Sequence, residues 1–127
     1  MSWKDILKED KLEKLYGIMV EYYSLSNDPN DIELVDDIRQ GGLDLEELGY
    51  NDFNGLLDFE IEISQELLED AKGHKNNAEQ WADESFMITH GVNTDGVIKR
   101  IEDYIRKLEK LQWFGKIYLS KNLILVI

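Results

Sequence analysis

FGKIYLSKNLILVI, Phe114 to Ile127, is the segment whose reading decides the fold class. Lys116 and Tyr118 alternate with Ile117 and Leu119, the period of a strand with one wet face. Ser120, Lys121 and Asn122 make a turn. Leu123 to Ile127 is apolar throughout, so it is expected to be buried on both faces or to pair with another chain. Together they read as an antiparallel hairpin, which is marginal alone and needs helices or a third strand to pack on. The fold class expected is therefore α+β: a mainly helical single domain, residues 1–127, ending in a C-terminal antiparallel β-hairpin.

The segment before the hairpin has the clearest helical period. Val97, Ile98, Ile101, Tyr104 or Ile105, Leu108 and Leu111 recur at three- and four-residue steps and predict a buried stripe. Thr94 is the expected N-cap, and Asp95 falls in the first turn, where the helix dipole favours an acid. Lys99 with Asp103, Glu102 with Arg106 and Asp103 with Lys107 are four-residue pairs on the wet side. Upstream, Gly91 to Asn93 is a turn. Ala78 to Phe86 reads as a helix that buries Trp81, Ala82 and Phe86, with Phe86 to His90 a short strand as the alternative.

From Asp52 the pattern fits two structures. Leu57, Phe59, Ile61 and Ile63 alternate with Asp58, Glu60 and Glu62, as in a half-buried strand. Phe53, Leu56, Phe59 or Glu60, Ile63 and Leu67 sit at helical steps, and the length of the window favours helix. Gly73 marks a break or a C-cap. Nearer the N-terminus, Ser2 and Asp5 resemble a capping box that opens a helix through Tyr23, with Leu12, Leu15, Tyr16, Met19, Val20 and Tyr23 on one face. Gly17 inside it is a close-packing point or a weak spot. Ser26 to Asn30 holds the only proline and breaks the chain. A short helix from Asp31 to Gln40 then uses Ile32, Val35 and Ile38 and ends at Gly41 and Gly42, with one further turn at Asp44 to Leu48.

The chain carries 27 acidic and 14 basic residues, a formal net charge of −13. The charge is concentrated in residues 28–70, where fifteen acids accompany one base, Arg39. Residues 94–127, the helix plus hairpin, are neutral to basic. An uneven layout argues against a host whose proteins are all acidic and for a local cause. A field of this sign repels nucleic acid and anionic membranes and attracts basic surfaces. An apolar fraction of 43%, with three Trp, six Tyr and four Phe, predicts a packed globule despite the charge. Charges in the first eight residues and the absence of a long apolar run lead to the expectation of a soluble, cytoplasmic chain.

Few chemical motifs survive inspection. There is no cysteine, hence no thiolate nucleophile, disulfide or Cys-based metal site. Asp52, Asn54, Gly55 and Asp58 suggest a calcium loop, but with Gly55 as the turn glycine the first and last ligand positions fall on Tyr50 and Ile61. His74 and His90 lie in no ligand pattern. Gly41-Gly42 lacks the residues of a phosphate loop. No cofactor, no metal and no enzymatic activity are expected.

Two functional readings remain. In the first, Asp36, Asp37, Glu46, Glu47, Glu60, Glu62, Glu66 and Glu69 act as charges that engage a basic surface on a protein partner, as a nucleic-acid mimic or an inhibitor or immunity protein does. Plain solvation of amphipathic helices explains the same residues. In the second, residues 78–127 follow the element order of winged-helix domains, with Lys99, Arg100, Lys107 and Lys116 on phosphates. Met87, His90 and Arg100 depart from that pattern, and direct nucleic-acid binding is disfavoured by the overall charge. The hairpin, Trp3 and Trp113 are candidate interface elements, which makes a homodimer through the hairpin a further expectation.

Overall fold

The computed structural model describes residues 3–43 and 53–126, with side chains at 11–43 and 53–112. Among the described residues there are five helices and no strand. They are α1 (Trp3–Tyr23), α2 (Pro29–Gly41), α3 (Phe53–Asn76), α4 (Gln80–His90) and α5 (Thr94–Val126). The α+β expectation is thereby corrected. Residues 114–126 continue α5 rather than folding back as a hairpin. Leu111, Phe114 and Tyr118, and then Leu119, Leu123 and Val126, also recur at three- and four-residue steps, so a short alternating window fits either period. No proline interrupts the segment, and a helix that is already nucleated extends by one hydrogen bond for each residue fixed. A homodimer through a hairpin, and the wing of a winged-helix domain, lose their structural element with it.

Elsewhere the local signals operate as physical chemistry requires. Asp28 caps α2, its Oδ1 accepting from the Asn30 N–H at 2.8 Å, and Pro29 supplies the preset first helical residue. The helix stops at Gly42, whose φ of 88° suits glycine. The 57–63 window is helical, and Gly73 lies inside α3, which runs on to Asn76. Asn93 rather than Thr94 caps α5, its Oδ1 accepting from the Gly96 N–H at 3.0 Å. Thr94 instead donates its backbone N–H to Asp83 Oδ1 at 2.8 Å, and its hydroxyl contacts the same oxygen. These two hydrogen bonds hold the Asp83 carboxyl below its ordinary value and staple α4 to the start of α5. The Asp44 to Leu48 turn lies outside the described residues.

α5 is the central element: its most extensive pairing is with α3, and it also packs on α1 and α4, while α2 packs on α1. One core cluster joins Leu15, Met19, Ile38, Leu56, Leu57, Tyr104 and Leu108. A second joins Ala71, Val97, Ile98, Ile101 and Ile105. The α5 stripe is as expected, with both Tyr104 and Ile105 buried. Trp81 is not buried: it is 59% exposed, and Ala82 takes the inward position on α4. Ile32 on α2 is also exposed. No helix of the described residues is long and apolar enough to cross a membrane.

The glycines give a direct check on the packing. A Cβ at Gly17 or Gly73 meets nothing within 4 Å. Gly17→Ala and Gly73→Ala should therefore each stabilise the fold by about 0.5–1 kcal/mol through helix propensity. By contrast, a Cβ at Gly96 lies 2.6 Å from Val92 Cβ, so Gly96→Ala should destabilise. Chemical denaturation of the three variants checks both signs.

Candidate functional site

The charged residue in the middle of α3 is not on its surface. Phe59 and Glu60 compete for the inward position, and the helix places Glu60 inside at 5% exposure, with Phe59 at 41%. The inward face runs through Leu56, Leu57, Glu60, Ser64 and Ala71. A carboxylate in that line is costly unless hydrogen-bonded, and two tyrosines from other helices meet it. Tyr23 at the end of α1 donates its hydroxyl to Glu60 Oε2 at 2.7 Å, and Tyr104 on α5 donates to the same oxygen at 2.8 Å. The Tyr22 ring stacks flat on Tyr104, with centroids 4.1 Å apart, and Tyr23 meets both rings edge-on. One carboxyl group thus ties three helices together.

Burial pushes the Glu60 carboxyl above the ordinary glutamate value, and the two donated hydrogen bonds only partly offset it. The same burial, reinforced by Glu60, pushes the Tyr23 and Tyr104 hydroxyls up. Tyr22 is pushed up to about 12 by burial, with Asp31 and Glu60 adding to it. Burial thus favours the neutral form of all three phenols, and Tyr23 and Tyr104 serve as the donors.

Beside this node lies a cavity of about 340 Å³. Its floor is the N-terminal half of α5, at Val97, Arg100 and Ile101, and one wall is α3 at Leu67, Asp70, Ala71 and His74. The other wall is the end of α4, Phe86, Thr89 and His90. Tyr22, Tyr23 and the loop after α1, with Asp28 and Asp31 behind it, close the remaining side. That loop is pinned: the Asn27 N–H donates to the Thr89 carbonyl at 2.7 Å, and the Asp28 N–H to Ser26 Oγ at 3.0 Å. Arg100 donates from Nη1 to the His90 carbonyl at 2.8 Å, which satisfies an orphan acceptor at the α4 C-terminus. Burial pulls the His90 ring below its ordinary value, against the opposing influence of Asp31. His74 contacts Glu79 and lies edge-on to Trp81.

The residues read from the sequence as a partner surface separate into three groups. Asp36 and Asp37 are exposed on α2, and Glu62, Glu66 and Glu69 are exposed along one side of α3. Glu46 and Glu47 lie outside the described residues. Glu60 is corrected from a surface charge to an interior acceptor. Among the described members, Asp36 and Asp37 lie on α2, which packs on α1, and Glu62, Glu66 and Glu69 lie on α3, which packs mainly on α5. Tyr23 and Tyr104 were legible as core positions, but their pairing with Glu60 was not. The available signal was the polar Glu60 and Ser64 lying four residues apart in a line continuing to Leu56 and Leu57.

Among the described residues no cluster of three His, Asp or Glu is placed to hold a metal ion. No family model matches the chain, and no curated protein or solved structure matches it.

The node makes a prediction with a definite sign. Glu60→Gln retains an acceptor for the tyrosines, whereas Glu60→Ala strands two buried hydroxyls and opens a cavity, at a cost of about 2–5 kcal/mol. Because the folded chain holds the Glu60 proton more tightly than the unfolded chain, this group's stabilising contribution is fully present below the ordinary glutamate range. It is lost as pH rises through the raised folded value. Stability of Glu60→Gln relative to the parent should therefore increase as pH rises from 4 to 8, as read by urea unfolding across that range; a constant difference contradicts the assignment.

Proposed function

We propose that the chain is a non-enzymatic acidic binding protein whose outward carboxylates on α3 engage a basic protein surface. The observation that supports this reading is the row Glu62, Glu66 and Glu69: all three are exposed, and none joins an ion pair among the described residues. Successive members are one helical turn apart, so the row presents a charge about every 5–6 Å along a rigid rod. Such a row recognises clustered Lys and Arg by field rather than by detailed contacts, and it acts mainly on the association rate. Asp36 and Asp37 form a second acidic patch on α2 and are auxiliary in this reading. Glu60 has no part in it, since its charge is spent inside.

Phosphate binding by the basic residues has less support. Lys107 pairs with Glu21 at 2.7 Å and with Asp103 at 3.1 Å. Arg100 is committed to the His90 carbonyl. Of the four cations read from the sequence as phosphate ligands, Lys99 is the one that is exposed and joins no ion pair among the described residues, and Lys116 lies beyond the described side chains. One cation on a helix supplies little of the clustered charge that phosphate binding needs.

The test is affinity capture at low and high salt with the parent chain and with Glu62, Glu66 and Glu69 changed to Lys. The expected result is one basic protein held stoichiometrically at low salt, released at high salt and lost in the variant. Retention unchanged by the variant, or capture of DNA that depends on Lys99, contradicts the reading.

A further inference from the structure

The cavity beside the tyrosine–glutamate node has no task in the binding reading above, because Glu62, Glu66 and Glu69 do not line it. Its size, about 340 Å³, lies at the lower end of the range in which proteins enclose small ligands. Its composition is selective. Tyr22, Tyr23 and Phe86 give it an aromatic side, and Leu67, Val97 and Ile101 an aliphatic one. Its permanently charged lining groups are mainly acidic, Asp28, Asp31 and Asp70 against the single cation Arg100, with Ser26, His74, Thr89 and His90 as the other polar members.

The commitments of these groups sharpen the imbalance. Asp28 is used in capping α2, but Asp31 and Asp70 join no ion pair among the described residues. Arg100 keeps its charge, but one of its donors is directed at the His90 carbonyl, the negative end of α4. Burial disfavours a charge on the His90 ring, and His74 contacts Glu79. A ligand entering the cavity therefore meets π faces and two uncommitted carboxylates, with the only guanidinium already engaged. Both features attract a positive charge carried on an apolar body. An anion would have to approach against Asp31 and Asp70.

We infer that the cavity bounded by Tyr22, Phe86, Asp31, Asp70 and Arg100 is a binding site for a small organic ammonium ion with an aryl or branched-alkyl body. The ammonium sits at the edge near Asp31 and Asp70, and the apolar body lies against Tyr22, Phe86 and Ile101. Closure of the loop after α1 onto Thr89 makes the site preformed, so binding needs no large rearrangement.

The probes are three molecules of one shape and different charge: phenethylamine, 3-phenylpropionate and 2-phenylethanol. Each is titrated into the ¹⁵N-labelled full chain and followed by two-dimensional NMR. Saturable shifts are expected with the amine at the amides of Thr89, His90, Arg100 and Ile101, and weaker or no binding with the other two. The double variant Asp31→Asn, Asp70→Asn, with its fold verified from the same spectra, should weaken the amine by roughly tenfold or more. Arg100→Gln, which keeps a donor for the His90 carbonyl, should tighten it, and this variant decides the matter if the double variant does not fold. The inference is overturned if the amine gives no saturable shift at these residues, or if the carboxylate or the alcohol binds as well as the amine. It is equally overturned if the amine's affinity is unchanged by the folded double variant, or is not raised by Arg100→Gln.

Discussion

The hydrogen bonds from Tyr23 and Tyr104 to a single oxygen of Glu60 are the constraint on which the arrangement of this protein depends. α1, α3 and α5 each contribute one member, and both tyrosine hydroxyls depend on the one Glu60 oxygen. A buried carboxyl that loses its donors is penalised far more than an apolar residue that loses a contact, so the node discriminates among helix packings that hydrophobic burial alone would rank closely. The flat stacking of Tyr22 on Tyr104 extends the same restraint to the end of α1. From there the chain must turn beneath α4, and the cavity follows from that turn.

The node also separates two kinds of acid in a chain that has many. Glu60 is internal and structural, while Glu62, Glu66 and Glu69 on the same helix are external and free to act on another molecule. Asp31 and Asp70 belong to a third group, placed at the edge of an aromatic cavity. Acids of one stretch, residues 28–70, thus occupy three physical settings among the described residues, set by helical phase. Repulsion among so many carboxylates works against compactness, and the extensive α3–α5 contact opposes it.

Much of the helical architecture was legible because periodicity and caps agree. Val97 to Leu108 has an unbroken apolar stripe, and Asp28-Pro29 states its own helix start. What was not legible had a common cause: two structures fit the same short pattern. Residues 116–119 alternate, and the segment around them also repeats at helical steps, while sequence alone has no term for the cooperativity of extending an existing helix. Gly73 looked like a terminus because glycine costs only about 1 kcal/mol inside a helix, which the surrounding contacts readily offset. Glu60 was placed outside because charge normally goes there; the partners that overturn this, Tyr23 and Tyr104, are 37 and 44 residues away. The cavity was illegible for the same reason, since its walls come from all five described helices or the loops that join them.

Glu60 is an interior carboxyl held by two phenols. Its side-chain carboxyl can be followed directly by ¹³C NMR as pH is varied, with the resonance assigned by Glu60→Gln. A midpoint clearly above the other glutamates, accompanied by slowly exchanging Tyr23 and Tyr104 hydroxyl protons, is the predicted result. A midpoint among those of Glu62, Glu66 and Glu69, with the hydroxyl protons exchanging freely, would place Glu60 in water and contradict the packing of α1, α3 and α5 described above.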